Sequence, residues 1–150
     1  MSSSWRARRR SDIDLERSET LLEAPSPAAL TTYRRDGSAV TSPVWFRFVG
    51  DALEVVIAQD DVKLRHLAAR PQCSPVIFES VPPFRDVRVE GEPTLHTHGV
   101  TDARRSIATR YLGGEDGERF TAARGPGVVL RLPITDGRAW DLAAILPGWP

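Results

Sequence analysis

Residues 28–48 read AALTTYRRDGSAVTSPVWFRF, and they carry the clearest folding signal in the chain. Two runs rich in apolar and β-branched residues flank the dipeptide Asp36-Gly37, which tolerates the positive φ angles of a tight hairpin turn. The stretch therefore predicts a strand over residues 28–34, a turn over 35–38 and a return strand over 39–48.

The return strand carries two different faces, because successive side chains of a strand point to opposite sides. One face holds Val40, Ser42, Val44, Phe46 and Phe48, and the other holds Thr41, Pro43, Trp45 and Arg47. We expect the first face to line the interior of a barrel. The second face suits a binding surface or an ordinary exposed surface, and the pattern leaves both open. Pro43 predicts a bulge or a sheet edge, since proline has no N–H for a central strand.

Outward from this hairpin the chain continues as short strands with inserted helices. Further strands are predicted at 52–58, 74–80, 86–96, 128–132 and 138–142, and helices at 12–23, about 60–70, 101–112 and 116–123. Strands in meandering hairpins do not match a doubly wound βαβ pattern. They predict a mainly β (α+β) fold, an antiparallel Greek-key-like barrel with a few peripheral helices.

Composition bounds the functional classes. The chain has 150 residues, a length typical of one domain, and 20 basic residues balance 20 acidic ones, which gives no argument for nucleic acid or a membrane surface as partner. The single cysteine, Cys73, excludes an intrachain disulfide and fits a reducing, cytoplasmic compartment, although it leaves a catalytic thiol possible. Residues 1–10 are polar and basic and predict a mobile arm, which leaves 11–150 as one domain.

Several catalytic signatures are absent from the sequence. It contains no glycine-rich phosphate loop, no Gly-x-Ser-x-Gly elbow and no His-Glu-x-x-His, so hydrolytic and phosphoryl-transfer mechanisms are unsupported. His96 and His98 could begin a metal site, but no suitable third ligand is evident.

The junction between the predicted strand 52–58 and the following helix favours anion binding. A helix N-terminus presents unpaired N–H groups and the positive end of the helix dipole. Lys63 is the one lysine among the 20 basic residues, and it falls in the first helical turn, where it can add a charge to the same anion. A plain surface helix with an aspartate cap and a solvated lysine is the alternative interpretation.

Four segments in this order resemble the pyridoxamine 5′-phosphate oxidase-related superfamily, and within it the flavin- and deazaflavin-dependent oxidoreductases common in actinobacteria. The segments are LTTYRRDGS (30–38), PVWF (43–46), Val62-Lys63 with Leu67, and PPFRDVRVEG (82–91). The resemblance covers about residues 20–142. It implies a split β-barrel that forms a homodimer, with two cofactor sites at the subunit interface.

The resemblance also assigns cofactor-binding residues. It implies that Lys63 contacts the cofactor phosphate, that one strand lies along the cofactor ring, and that the Pro83-Phe84-Arg85 segment comes near the partner's site. The phosphate turn comprises Ala58, Gln59, Asp60, Asp61 and Val62, the ring strand supplies Thr41, Ser42, Pro43 and Trp45, and the partner-facing residues are Phe84 and Arg85.

The chain departs from the family pattern in three places. Many relatives carry arginine or another phosphate-binding residue where this chain has Gln59, and a small or polar residue where it has Asp61. The sequence also lacks the terminal Arg-Leu-Ala-Pro of authentic pyridoxamine phosphate oxidases, which disfavours vitamin B6 oxidation.

The function expected from the resemblance is hydride transfer between the deazaflavin coenzyme F-420 and a small conjugated organic substrate. An FMN-dependent oxidase or reductase, and a non-catalytic flavin- or haem-binding protein, are the alternatives. Cofactor chemistry of this kind needs the protein mainly for positioning, which agrees with the lack of an acid–base constellation. Tyr33 and Tyr111 are candidate proton donors, and Trp45, Phe84 and Trp140 are candidate dimer contacts.

Overall fold

The computed structural model describes residues 20–134, 137–140 and 142, together with the backbone of Arg8–Arg9. Its strands are β1 (Arg8–Arg9), β2 (Ala28–Tyr33), β3 (Ala39–Val44), β4 (Arg47–Val49), β5 (Ala52–Ala58), β6 (Ser74–Phe78), β7 (Asp86–Val89), β8 (Thr94–His96), β9 (Gly127–Pro133) and β10 (Gly137–Trp140). Its helices are α1 (Val62–Ala69), α2 (Val100–Leu112) and α3 (Gly114–Ala122), and residues 20–23 form one further helical turn. None of the described helices is long and apolar enough to cross a membrane.

The strands form two antiparallel sheets. One has the order β1-β10-β7-β6-β2-β3 and the other the order β4-β5-β9-β8. The predicted hairpin is confirmed, because β2 pairs with β3 from Ala28↔Val44 to Tyr33↔Ala39 across the turn at Gly37, whose φ is +90°. The fold is thus mainly antiparallel β with a few helices, as predicted.

The predicted single return strand over 39–48 is wrong, because the chain changes sheets within it. Residues 39–44 form β3 on β2, whereas residues 47–49 form β4 on β5. Trp45 and Phe46 make the transition, and Phe46 is completely buried there. The alternation of exposure along β3 agrees with the predicted faces, and Pro43 lies on an edge strand of the described sheet, as expected for a residue without an N–H.

The predicted long strand over 86–96 is wrong for the same reason. Residues 86–89 form β7 beside β6, and residues 94–96 form β8 beside β9 in the other sheet. Pro93 lies in the interruption and has no N–H to continue a ladder, and Gly91 forms an isolated bridge with Cys73.

The core lies between the two sheets and beneath the helices. Its largest completely buried side chains include Phe46, Leu30, Leu53, Ile77 and Leu130, each of which contributes on the order of 1.5–3 kcal/mol by leaving water. These side chains come from both sheets, so burial of their facing surfaces is what joins the sheets into one domain.

Helix α1 is fixed at both ends and at its middle. Asp61 caps its N-terminus, and the N–H of Arg70 closes its C-terminus onto the carbonyl of His66. The buried ring of His66 hydrogen-bonds through Nδ1 to Oγ1 of Thr32 on β2, at 2.9 Å. This bond ties the helix to the first hairpin and so fixes where its first turn lies.

The arm predicted at residues 1–10 is described only at Arg8 and Arg9, whose backbone pairs with Arg138 and Ala139 of β10. Mobility of the other arm residues remains a prediction, since they lie outside the described residues. Residues 11–19 also lie outside the described residues, so the first part of the helix predicted over 12–23 stays a prediction.

Candidate functional site

A cleft of about 480 Å³ lies where β3 and β5 meet helices α2 and α3. Its walls come from the end of β3, the second half of β5, the start of α1, and the two later helices. The lining residues are Pro27, Pro43, Val44, Trp45, Val55, Val56, Ile57, Ala58, Asp61, Lys63, Arg104, Ile107, Ala108, Phe120 and Arg124. One wall is apolar and aromatic, and four charged side chains also reach the space.

Lys63 and Asp61 form an ion pair at the edge of the cleft. Oδ1 of Asp61 accepts the backbone N–H of Lys63 at 2.9 Å, and Oδ2 lies 3.2 Å from Nζ of the same lysine. The carboxylate of Asp61 therefore already binds the backbone N–H and the ammonium of Lys63, two groups that were predicted to bind a phosphate. Any anion that binds here has to compete with this carboxylate.

An aromatic cluster supports the wall around Trp45. The Trp45 ring stacks on Tyr111 at 5.0 Å with only 9° between planes, and it meets Phe120 at 5.2 Å. The Tyr111 hydroxyl donates to the carbonyl of Ser26 at 2.8 Å and accepts from the N–H of Phe46. Burial raises the pKa of Tyr111 above its ordinary value. Because the hydroxyl of Tyr111 donates its proton to the carbonyl of Ser26, the Tyr111 ring is held in place. Its stacking on Trp45 in turn fixes the orientation of Trp45.

Arg104 and Arg124 supply two cations that the sequence analysis did not single out. Arg104 is 8% exposed, and its Nη1 donates to the carbonyl of Gly125 at 2.7 Å. The Arg124 guanidinium lies 4.3 Å from the centre of the Phe120 ring. Burial, and the nearby charge of Arg124, lower the pKa of the Arg104 guanidinium. The sequence did hold a signal, since Arg104 precedes the buried Ile107 and Ala108 by three and four residues, on one face of α2.

Five of the predicted cofactor-binding residues line this cleft, from two separate segments of the chain. They are Pro43, Trp45, Ala58, Asp61 and Lys63. The β5–α1 junction and the end of β3 therefore line the same cleft, as the family resemblance implied.

The other residues predicted near the phosphate and ring do not line the cleft of the single chain. Thr41 is exposed and shares a 2.7 Å hydrogen bond with Thr31, and Ser42 is half-buried opposite Leu30 in the ladder. The remaining three, Gln59, Asp60 and Val62, are exposed.

Phe84 and Arg85 lie in the connection between β6 and β7, away from the cleft lining. Phe84 has a φ of +57° and is 39% exposed, and it follows the cis peptide between Pro82 and Pro83. Arg85 forms an ion pair with Glu79 at 2.8 Å. Their predicted place at a partner's site needs a second subunit and remains a prediction.

The remaining candidate residues, Cys73, Tyr33, His96 and His98, do not line the cleft. Burial raises the pKa of the Cys73 thiol to about 12, so it is no nucleophile near neutral pH. Tyr33 shares a hydrogen bond with Ser74 and lines a separate hollow of about 380 Å³. The rings of His96 and His98 lie 5.4 Å apart, and no group of three metal-ligating side chains occurs within the part of the chain that the structure describes.

Comparison with known proteins gives one family. The family described as pyridoxamine 5′-phosphate oxidase matches residues 15–141 of the chain. No curated protein sequence matches.

Solved structures share the fold at low sequence identity. A conserved hypothetical protein from Mycobacterium tuberculosis is 16% identical with a TM-score of 0.79, and the match covers 100% of this chain and 95% of that one. An F-420 reductase is 22% identical with a TM-score of 0.65, over 79% of this chain and 94% of that one. The heme storage protein HutZ from Vibrio cholerae is 14% identical with a TM-score of 0.67, over 84% and 93%.

Proposed function

We propose that this chain, which belongs to the pyridoxamine 5′-phosphate oxidase family, is an oxidoreductase that transfers hydride between coenzyme F-420 and a small conjugated organic substrate. The observation that carries the proposal is the cleft itself, in which an apolar and aromatic wall adjoins three cationic side chains. Family membership supports the flavin class of cofactor. The likeness in fold to an F-420 reductase supports the deazaflavin within that class.

The residues present fit a flat redox ring with an anionic tail. The volume of about 480 Å³ lies in the range of cofactor-sized sites, which are mostly apolar with a few polar groups. Trp45 and Phe120 offer aromatic surface to a ring, and Lys63, Arg104 and Arg124 offer charge to a phosphate or carboxylate.

When bound, the cofactor would supply the hydride chemistry. The chain's own residues bind, orient and desolvate. Trp45 is held by its stacking on Tyr111, so it presents a fixed surface, and the apolar side chains Ile57 and Ile107 keep water from that side of the cleft. Asp61 is the one carboxylate among the described residues that line the cleft, and it is engaged in an ion pair with Lys63, which agrees with chemistry carried by the cofactor.

FMN is the second candidate, and the charge of the cleft favours it. Among the described residues, three cationic side chains and one carboxylate line the space, a net charge of about +2. A phosphate monoester carries about −1.5 to −2 at neutral pH, so its charge matches.

Haem is disfavoured by the same lining. Among the cleft residues that the structure describes there is no histidine, cysteine, methionine or tyrosine to serve as an axial ligand to iron.

We also propose that the working unit is a homodimer whose second subunit completes the cofactor site. The end of β6 and its connection to β7 expose three apolar side chains close together in sequence, Phe78, Val81 and Phe84, with exposures of 41%, 57% and 39%. Burying such side chains against a second copy would be favourable.

The experiment is an equilibrium titration of the purified protein with F-420, FMN and haem, followed by absorption and fluorescence. Saturable binding of F-420, with oxidation or reduction of the bound coenzyme by a conjugated acceptor or donor, is the expected result. Tight binding of haem together with no binding of F-420 or FMN would contradict the proposal.

A further inference from the structure

Two arginines that line the cleft have no acidic partner among the residues that the structure describes. Arg104 is more than nine-tenths buried, and its Nη1 donates a hydrogen bond to a neutral carbonyl, that of Gly125. Arg124 contacts the face of Phe120. Among the described residues no carboxylate lies within ion-pair distance of either guanidinium. Buried charges in proteins are normally paired, so a buried arginine beside a second arginine calls for an anion that the described residues do not supply.

The position of this pair is set by backbone contacts. A Cβ placed on Gly127 would lie 2.6 Å from Nη2 of Arg104 and 2.9 Å from the carbonyl oxygen of Ile57, so the guanidinium lies against the end of β5. Gly127 pairs with Ala58 in the ladder, and the N–H of Gln59 donates to the carbonyl of Pro126. The segment 124–127 therefore runs beside the β5–α1 junction, where an anion was expected from the sequence.

We propose that Arg104 and Arg124 form an oxyanion site at this end of the cleft, and that the site takes the phosphate group of the cofactor. The anion site rests on the two arginines alone, and the identity of its occupant rests on the proposed function. Arg104 provides a guanidinium from a residue that is 8% exposed, and Arg124 provides a second one at the exposed rim.

Lys63 has a smaller part in this arrangement. Its ammonium lies 3.2 Å from Oδ2 of Asp61, and that carboxylate also accepts its backbone N–H. A cation already neutralised by a neighbour adds less to an incoming anion than two arginines that have no carboxylate partner among the described residues. The main phosphate contacts in this chain therefore come from α2 and the segment after α3.

The first experiment tests the anion site without any flavin. Thermal melts are recorded with inorganic pyrophosphate, and with sodium chloride at matched ionic strength, for wild type, Arg124→Gln and Arg119→Gln. Arg119 is a matched control, because it is an exposed arginine five residues earlier whose partners are Glu115 and Asp116. Wild type and Arg119→Gln are expected to show a pyrophosphate-specific rise in Tm of several degrees, and Arg124→Gln is expected to lose most of it. Equal rises in all three proteins would overturn the site.

The second experiment identifies the occupant by comparing FMN with riboflavin, which lacks the phosphate. Arg124→Gln is expected to reduce the ratio of FMN to riboflavin affinity about tenfold or more, while riboflavin affinity changes less than twofold. Arg104→Lys, which keeps the charge in the buried position, is expected to lose part of the ratio and remain folded. An unchanged ratio in Arg124→Gln, with the pyrophosphate effect lost, would overturn the assignment to the cofactor phosphate and place another anion there. Failure of wild type to bind either flavin, with the pyrophosphate effect intact, would contradict FMN as cofactor and leave the anion site supported.

Discussion

Replacing Asp61 by asparagine separates the two roles that the structure gives this side chain. As the N-cap of α1 it accepts the N–H of Lys63, and as a charge it neutralises Nζ of the same residue at 3.2 Å. Asparagine caps helices about as well as aspartate, so Asp61→Asn keeps the cap and removes the charge. We therefore expect cofactor affinity and fold stability to change in opposite directions.

The expected magnitudes follow from exposure and distance. The side chains of Lys63 and Asp61 are 17% and 30% exposed, so their ion pair contributes at most about 0.2–1 kcal/mol, and the lost attraction to the helix dipole adds a similar amount. The free energy of unfolding should fall by about 1 kcal/mol. Removing a negative charge from the cleft lining should relieve repulsion of a bound phosphate by about 1 kcal/mol, which corresponds to roughly a fivefold gain in FMN affinity.

The assay is fluorescence titration with FMN and riboflavin, with denaturant unfolding of the same preparations. Asp60→Asn is the matched control, since Asp60 is the exposed neighbour that does not line the cleft, and it should change affinity less. Asp61→Ala should show the same affinity gain with a larger stability loss, about 1–2 kcal/mol, because the cap is removed as well. An FMN affinity that stays the same or falls in Asp61→Asn would refute the reasoning.

Three further predictions concern packing, the thiol and assembly. Gly117→Ala should destabilise the fold by about 1–3 kcal/mol, because its Cβ would lie 2.8 Å from the backbone of Thr109, whereas Gly114→Ala, with nothing within 4 Å, should be neutral or stabilising in denaturant unfolding. Cys73, with its pKa raised to about 12, should not react with a disulfide reagent at pH 8 until denaturant is added, and rapid labelling of the native protein would contradict this. The free energy of unfolding should also fall as the pH rises from about 9 towards 12, because the thiol ionises first in the unfolded chain. Sedimentation at micromolar concentration should give a dimer, whose interface we expect to bury more than about 2,000 Å². Phe84→Ser should weaken the dimer, and a wild-type monomer would contradict the proposed assembly.

The sequence predicted local structure well where neighbouring residues determine it. The Asp36-Gly37 turn and the aspartate cap of α1 depend on residues within a few positions, and both were found as expected. The predictions failed at Trp45–Phe46 and around Pro93, where the chain leaves one sheet for the other. Alternation of side chains continues through such a transition, so a single strand and two strands in different sheets give the same pattern.

The site was predictable only in the segments that carry family motifs. Lys63, Asp61 and Trp45 were found by resemblance, and they do line one cleft. Arg104 and Arg124 were missed, because the chain has many arginines and only the tertiary structure shows which of them line the cleft with no carboxylate of the described residues beside them.

The most direct test of the central claim is a crystal structure of the protein with F-420 or FMN bound. We predict that the ring lies in the cleft beside Trp45 and that the phosphate lies within hydrogen-bond distance of the guanidinium of Arg104 or Arg124. Cofactor density outside this cleft, or a phosphate held away from both arginines, would contradict it.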